Sequence, residues 1–239
     1  MSGALTGRRA LVTGGTRGIG LAIAERLRGD GATVLVTGRR PQVQGLDGFE
    51  YRGVDLADSS ALEAFAEEAR NWAPDVLVNN AGINKLSLFG EIEPADFDRI
   101  QAVNVRAPML LCRAVAPGMR ERGWGRIVNI ASIWSVLSRP GRGSYSASKF
   151  ALDGLTAALA AEVAAHGVLA NCVSPGFVDT ELTRDVLGED GIARLVTEVP
   201  AGRLAQPEEI AALVAWLAGP ENTFVSAQNI VIDGGFSRS

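Results

Sequence analysis

The sequence predicts one α/β domain in which helices cover both faces of a doubly wound parallel sheet of about seven strands. Two observations lead to this prediction: short apolar runs alternate with segments of helical periodicity, and the first run enters a glycine-rich turn. The predicted strands are residues 9–13, 33–37, 50–54, 75–79, 126–131, 168–173 and 229–232. The predicted helices include residues 21–28, 59–72, 94–122, 144–165 and 210–217. A length of 239 residues suits a single domain spanning 1–239.

The composition is that of an ordinary folded protein. Apolar residues make up 47% and charged residues 21% of the chain. The formal net charge of -4 does not indicate a nucleic-acid partner, because such partners require an excess of positive charge. No apolar signal core or long apolar run is present, so we expect a cytoplasmic protein without a membrane segment. Cys112 and Cys172 lie in apolar surroundings without metal-ligand spacing. We expect two buried free thiols and no metal site.

The first predicted strand enters the turn Gly14-Gly15-Thr16-Arg17-Gly18-Ile19-Gly20. Glycines permit positive φ and close backbone approach, and the free N–H groups at the start of a helix attract a pyrophosphate. The alternative is a purely structural turn. The glycine spacing also departs from the commonest dinucleotide fingerprint, G-x-G-x-x-G.

The end of the second strand is where such folds discriminate between dinucleotides. Here the chain places Gly38-Arg39-Arg40, and no acid is present to accept hydrogen bonds from a ribose 2′-hydroxyl. Guanidinium groups suit a 2′-phosphate, and Arg17 offers a further positive contact. The sequence therefore favours NADP(H) over NAD(H). The alternative is that the two arginines only solvate a loop before Pro41.

Several other segments contain candidate site residues. Residues 41–48 are too short for a crossover helix, and Asp55 after the third strand either caps a turn or contacts adenine. The small residues after the fourth strand, Asn80-Ala81-Gly82, would let the backbone approach a flat cofactor. Pro108 and Pro117 should bend or divide the long helix 94–122. Asn104 lies in an apolar part of that helix, which alone favours a structural role.

The stretch 132–149 has the character of a proton-handling site. Tyr145 and Lys149 are four residues apart, which places them on one helical face about 5–6 Å apart at Cβ. An adjacent ammonium would lower the pKa of the phenol and make it a usable acid or base. Ser132 follows a strand, at the edge where open α/β sheets bind ligands. The alternative is an exposed helix start with an ordinary surface lysine.

The surroundings of this stretch suggest what shapes the substrate pocket. Residues 177–199 show no sustained strand alternation and contain two glycines, and we interpret them as a mobile lid over the substrate. Trp134 and Phe177 are the candidate pocket residues, with a simple wall residue as the alternative for Trp134. The alanine-rich continuation 150–165 would suit close packing between subunits.

With these motifs placed, the sequence resembles the classical short-chain dehydrogenase/reductase family along nearly its whole length. The matching motifs are Thr13 to Gly20, Asp55, Asn79-Asn80-Ala81-Gly82, Asn104, Ser132, Tyr145-x3-Lys149 and Pro175-Gly176. The family has the glycine spacing seen here. The resemblance implies a Rossmann-type sheet, NAD(P)-dependent carbonyl or alcohol chemistry and a homotetramer, or otherwise a homodimer. It also implies that Asn104 orders a water-linked proton relay near Lys149, which makes Asn104, Ser132, Tyr145 and Lys149 the catalytic set.

The cofactor-binding residues follow from the same resemblance. They are Gly14, Thr16, Arg17, Gly18, Ile19, Gly20, Arg39, Asp55, Leu56, Asn80, Ala81, Gly82, Tyr145, Lys149, Pro175, Gly176, Val178 and Thr180.

Residues 199–211, together with Arg17 and Arg39, look most like 3-oxoacyl-(acyl-carrier-protein) reductases, although relatives acting on sugars, polyols and polyketides share much of this pattern. The short segment after the second strand departs from these reductases. We therefore expect an NADPH-dependent reductase that transfers hydride to the ketone carbonyl of a 3-oxoacyl or polyketide-like substrate, free or carried as an acyl thioester, with Tyr145 as proton donor. One alternative is an NADP-linked dehydrogenase of a sugar, polyol or other secondary alcohol. Another is a non-catalytic dinucleotide sensor, against which the intact Ser132, Tyr145 and Lys149 argue.

Overall fold

A computed structural model describes residues 3–239. Seven parallel strands form one sheet in the order β3-β2-β1-β4-β5-β6-β7. The strands are β1 Arg9–Val12, β2 Thr33–Gly38, β3 Glu50–Gly53, β4 Val76–Asn79, β5 Gly125–Ile130, β6 Val168–Pro175 and β7 Asn229–Ile232. The predicted fold class and all seven predicted strands are confirmed.

The helices divide between the two faces of the sheet. They are α1 Gly18–Gly29, α2 Ser59–Trp72, α3 Pro94–Gln101, α4 Ala107–Glu121, α5 Gly143–Val163, α6 Glu181–Val196 and α7 Pro207–Ala218. Helices α1 and α7 share one hydrophobic core with the sheet, and α2, α4 and α5 share the other. Strand β2 shows why both cores form: Val34 and Val36 face the first core, whereas Leu35 faces the second.

The predicted long helix 94–122 is divided, as expected. A π-helical turn, Ala102–Arg106, separates α3 from α4. The break lies directly before Pro108, whereas Pro117 is accommodated inside α4. π-Helical turns are frequent at functional sites, and this one contains Asn104.

The segment interpreted as a lid contains a helix. Helix α6 occupies most of residues 177–199, and its backbone is interrupted at Gly188, which has φ 62° and ψ 177°. Thr180 caps the helix by accepting a hydrogen bond from the Thr183 N–H at 3.2 Å. Within residues 3–239, no helix is both long enough and apolar enough to cross a bilayer.

The predicted state of the two cysteines is confirmed. Cys112 and Cys172 are both buried and free. Burial raises the pKa of each thiol to about 12, so both are inert at neutral pH.

The strand order creates the crevice in which a site is expected. From β1 the chain continues outward through β2 and β3, and then returns to β4 on the other side of β1. All strands are parallel, so their carboxyl ends share one edge of the sheet. Open sheets of this kind bind ligands at that edge, where the order reverses.

Candidate active site

The glycine loop after β1 has the features of an anion site. Gly14 and Gly18 adopt φ of 65° and 53°, a left-handed backbone that favours glycine. Helix α1 begins at Gly18 without a side-chain cap and with no acid in its first turn. The first N–H groups of a helix have no intrahelical partners. The loop therefore fits the pyrophosphate of a dinucleotide.

Asn80 and Gly20 hold the loop in shape. The Asn80 side chain donates to the carbonyl oxygens of Thr13 and Gly14, at 3.0 and 3.1 Å. A Cβ on Gly20 would lie only 2.2 Å from the Gly14 oxygen and 2.4 Å from Asn80 Nδ2. The loop and the β4 end thus pack too closely for any larger residue at position 20. The Asn80 amide supports the loop from behind.

The end of β2 lies directly beside the glycine loop. The Gly15 N–H donates to the Thr37 oxygen at 3.1 Å, and a Cβ on Gly38 would lie 2.8 Å from Thr16 Cγ2. Arg39, the next residue, is exposed and has no ion pair within residues 3–239. Its position and free charge fit the 2′-phosphate of NADP(H).

Asp55 and Leu56 have contacts within the protein. Asp55 Oδ1 accepts from the Ala57 N–H at 2.9 Å, and Oδ2 pairs with Arg99 at 3.4 Å. Asp55 therefore caps a turn, which was one of its two interpretations; contact with adenine stays a prediction. The Leu56 side chain is buried in the core shared with α2. It supports the loop through packing.

The segment after β6 returns to the glycine loop. The Gly176 N–H donates to the Ile232 oxygen at 2.9 Å, and a Cβ on Gly176 would lie 2.7 Å from Asp233 Cβ. A Cβ on Gly18 would lie 3.5 Å from Thr180 Cγ2, so the start of α6 reaches the loop. Val178, in contrast, has its side chain in the core. Pro175 is buried as the last residue of β6.

Ser132, Tyr145 and Lys149 meet at the carboxyl end of β5. Ser132 follows this strand, and the two other residues lie on the first turns of α5. Lys149 is buried, with 3% of its surface exposed, and its Nζ donates to the Ile130 oxygen at 2.7 Å. The same Nζ lies 5.5 Å from the centre of the Tyr145 ring. The alternative of an ordinary surface lysine is wrong.

The pKa values in this group differ from the expectation. Burial raises the pKa of Tyr145 above its ordinary value of 10.0, although hydrogen bonding by Ser132 and the charge of Arg142 both act to lower it. The net direction of the pKa of Tyr145 is thus opposite to the expectation, because the cost of dehydrating the phenolate dominates over the influences that lower the pKa. Burial also lowers the pKa of Lys149 to about 8. The Lys149 ammonium lies over the ring of Tyr145.

Asn104 joins the loop after β4 to α5. Its Oδ1 accepts from the Ile83 N–H at 2.9 Å, while Nδ2 donates to the Ile83 oxygen at 2.9 Å and to Ser148 Oγ at 3.0 Å. A Cβ on Gly82 would lie 3.5 Å from Asn104 Oδ1 and 3.6 Å from Lys149 Nζ, so these residues are neighbours. The side chain is a structural clamp, as the residue alone suggested. A role in a proton relay stays a prediction.

A buried polar network that sequence reasoning missed supports Ser132. Ser135 Oγ donates to the Ser132 oxygen at 2.6 Å and lies 2.9 Å from Ser174 Oγ. Asn229 Nδ2 donates to the same Ser135 Oγ at 3.0 Å. The available signal was the polar Ser174 and Asn229 in the mostly apolar strands β6 and β7. These contacts fix the backbone that presents the Ser132 hydroxyl.

An aromatic cluster closes one side of the site. Trp134 is buried and meets Phe177 edge-on at 6.4 Å between ring centres, and Phe177 meets Phe236 at 5.0 Å. The structure favours the wall interpretation for Trp134. Phe177 remains partly exposed, whereas Phe236 was not recognised from sequence because it follows the last strand by several residues.

Together, a Rossmann-type sheet, an uncapped glycine loop and an adjacent serine, tyrosine and lysine define a dinucleotide-dependent oxidoreductase. A family model described as enoyl-(acyl carrier protein) reductase matches residues 14–237. The chain belongs to the short-chain dehydrogenase/reductase family.

Relatives within this family have different substrates in their names. Gluconate 5-dehydrogenase from Gluconobacter oxydans (strain 621H) is 39% identical over 98% of this chain and 96% of its own length. A 3-oxoacyl-(acyl-carrier-protein) reductase from Vibrio harveyi is 37% identical over 97% of this chain and 98% of its own. A solved gluconate 5-dehydrogenase from Burkholderia cenocepacia J2315, in complex with NADP and tartrate, superposes with a TM-score of 0.90. It is 35% identical and covers 98% of this chain and 97% of its own.

Proposed function

We propose that this chain is an NADPH-dependent reductase that converts a ketone of the 3-oxoacyl or polyketide type to a secondary alcohol. The observation that carries the proposal is the meeting of Ser132, Tyr145 and Lys149 beside the glycine loop, at the carboxyl edge of the sheet. A relative named 3-oxoacyl-(acyl-carrier-protein) reductase supports the substrate class, and the NADP complex of a relative supports the cofactor.

The roles of the residues follow from their surroundings. Tyr145 is protonated at neutral pH, and burial raises its pKa further above the ordinary value of 10.0, which suits a proton donor to the developing alkoxide. Ser132 donates a hydrogen bond to the same oxygen, from a position fixed by Ser135. Lys149 would favour loss of the phenolic proton electrostatically, and its ammonium would bind the nicotinamide ribose of a bound cofactor. Bound NADPH supplies the hydride. Asn104 holds α5 and the loop after β4 together around Lys149.

A dehydrogenase of a sugar acid or other secondary alcohol is the second candidate, favoured by the gluconate 5-dehydrogenases among the relatives. Oxidation needs Tyr145 as a base, and its raised pKa makes the phenolate scarce at neutral pH. Initial rates on matched ketone and alcohol pairs, with NADPH and NADP⁺, separate the two. We expect reduction to dominate at neutral pH. Faster oxidation at that pH, with no ketone reduced, would overturn the proposed direction.

The cofactor preference should depend on Arg39. We expect Arg39→Asp to lower kcat/KM for NADPH by about 10- to 100-fold, because a charged hydrogen-bond partner is replaced by a like charge. The kcat/KM for NADH should be unchanged or higher, since NADH lacks the 2′-phosphate. Arg52→Asp on the neighbouring strand β3 is a control whose charge change should not alter the ratio of the two values. An unchanged NADPH-to-NADH ratio in the Arg39 variant would contradict the assignment.

The segment 177–199 acts as the substrate lid in this proposal. Its two ends are held by ion pairs: Glu181 lies 3.5 Å from Arg17 in the glycine loop, and Glu198 lies 2.8 Å from Arg139 before α5. Both pairs are exposed and therefore weak, which suits a segment that must open. The break at Gly188 supplies a place for the backbone to bend.

We further propose a cytoplasmic homotetramer. The groove between α4 and α5 is lined mostly by apolar side chains, with Arg113, Arg120 and Glu162 also on it. Met109 and Leu155 on this groove are each 37% exposed. We expect Leu155→Arg to reduce the mass measured by light scattering, because a charge would be buried in the interface. Phe224→Arg, at a side chain 95% exposed, is the control that should keep the mass of the native assembly. A monomeric wild-type protein would contradict this arrangement.

A further inference from the structure

The loop before α5 carries two arginines in different electrostatic states. Arg139 pairs with Glu198 at 2.8 Å, so its charge is compensated. Arg142 has no acidic partner within 4.0 Å among residues 3–239, and its side chain makes no hydrogen bond there. A partly buried guanidinium without a partner is costly to maintain in a fold. The charge of Arg142 is therefore available to an anionic ligand.

Arg142 is also held in a defined position. Its guanidinium carbon lies 4.9 Å from the centre of the Trp134 ring, a cation–π contact that leaves the N–H groups available. Burial lowers the pKa of Arg142, and the partial loss of hydration strengthens any ion pair that it forms. Trp134 therefore acts as the support on which this side chain rests.

Arg142 faces the reacting group. It is the residue before the first turn of α5, and Tyr145 is three positions later on the same helical face. The positive charge of Arg142 is close enough to the Tyr145 phenol to act to lower its pKa. No acid lies in the first turn of α5, so the positive end of this helix adds to the charge of Arg142. Tyr145 and Arg142 would thus contact one substrate from neighbouring positions, with Tyr145 at its ketone oxygen.

We propose that Arg142 is a specificity-determining residue that binds an anionic group, carboxylate or phosphate, of the keto substrate. The guanidinium fork matches both groups through paired, charge-assisted hydrogen bonds. The inference rests on the proposed reductase function and adds a substrate class to it: small keto acids or keto phosphates. It places neutral ketones among the poorer substrates of this enzyme.

Matched substrate pairs test this inference. One pair is 3-oxobutanoate with its methyl ester, and the other is dihydroxyacetone phosphate with dihydroxyacetone. In each pair the ketone is retained and the charge is lost. We expect Arg142→Gln to lower the anion-to-neutral ratio of kcat/KM by about 10- to 100-fold for whichever anion the site accepts. Arg142→Lys should retain part of the ratio. Arg70→Gln is the control, and its ratio should stay at the wild-type value because Arg70 is exposed near the end of α2, where it pairs with Glu67.

A binding measurement separates failure of this inference from failure of the reductase function. Tartrate, the dicarboxylate in the Burkholderia structure, is titrated into the NADP⁺ complexes of the wild type and of Arg142→Gln. We expect tartrate to bind the wild type and to bind the variant at least about 10-fold more weakly. Equal affinity for both proteins, no binding to the wild type, or an equal loss of activity on anionic and neutral ketones would each overturn the role of Arg142. Absence of any ketone reduction, with tartrate binding still dependent on Arg142, would instead overturn the reductase function.

Discussion

The variant Tyr145→Phe is expected to lose between about 10²- and 10⁴-fold in kcat, the contribution typical of a positioned general acid. The ring and its packing against the aromatic cluster are retained, so only the proton donor is removed. The Kd for NADPH, measured by fluorescence titration, should stay within about threefold of wild type, because the lost interaction forms mainly in the transition state.

The same variant allows the phenol itself to be observed. The chain has only two tyrosines, Tyr51 and Tyr145, so the difference between the phenolate absorbance of wild type and variant reports Tyr145 alone. We expect this group to titrate above 10.0, since burial raises its pKa. Near wild-type turnover in Tyr145→Phe would show that another group delivers the proton.

The variant Lys149→Met is expected to lose about 10²-fold or more in kcat. Its stability should not be lower than that of the wild type. Burying the charged Lys149 ammonium costs free energy of folding, and methionine fills a similar volume without a charge. Losing the hydrogen bond to the Ile130 oxygen offsets about 1 kcal/mol of the stability gained by removing the charge. The measurements are kcat and the thermal unfolding midpoint Tm of both proteins.

The difference in Tm between Lys149→Met and the wild type should change with pH in one direction. Folding lowers the pKa of Lys149 from 10.5 to about 8, so between these values the unfolded chain binds the extra proton. The destabilising effect of Lys149 is therefore complete below about pH 8 and fades as the pH rises toward 10.5. The Tm advantage of Lys149→Met should shrink across this range. Lys85→Met is the control, because Lys85 is exposed and its pKa is raised by Asp96. A Tm difference for Lys149→Met that does not change with pH would contradict the buried-ammonium interpretation.

The fold was predictable because its determinants are local in sequence. The continuous apolar run Val34, Leu35 and Val36 predicts a strand that is buried on both faces, and the structure places its side chains in the two cores. The glycine turn and the Tyr145–Lys149 spacing are equally local, and the structure places them together as expected. The four catalytic candidates all lie within one region around the ends of β4 and β5.

The features of the site that could not be predicted depend on contacts between distant parts of the chain. The Ser135–Asn229 hydrogen bond joins residues 94 positions apart, and no local pattern announces it. The raised pKa of Tyr145 results from burial by tertiary packing, so spacing to Lys149 alone gave the wrong direction. The different states of Arg139 and Arg142 depend on Glu198, at the far end of the lid segment. Helix α6 was not anticipated, since Gly188 interrupts its periodicity.

The central claim, that this chain reduces a ketone with NADPH, is tested most directly on the unmodified protein. NADPH is titrated to establish binding, and its absorbance is then followed with a panel of β-ketoacyl thioesters, keto acids, cyclic ketones and keto-sugars. We expect saturable NADPH binding and steady consumption of NADPH with at least one ketone, giving one alcohol per NADPH oxidised. Tight NADPH binding without turnover of any ketone, or of the matching alcohols with NADP⁺, would contradict it and identify the chain as a dinucleotide sensor.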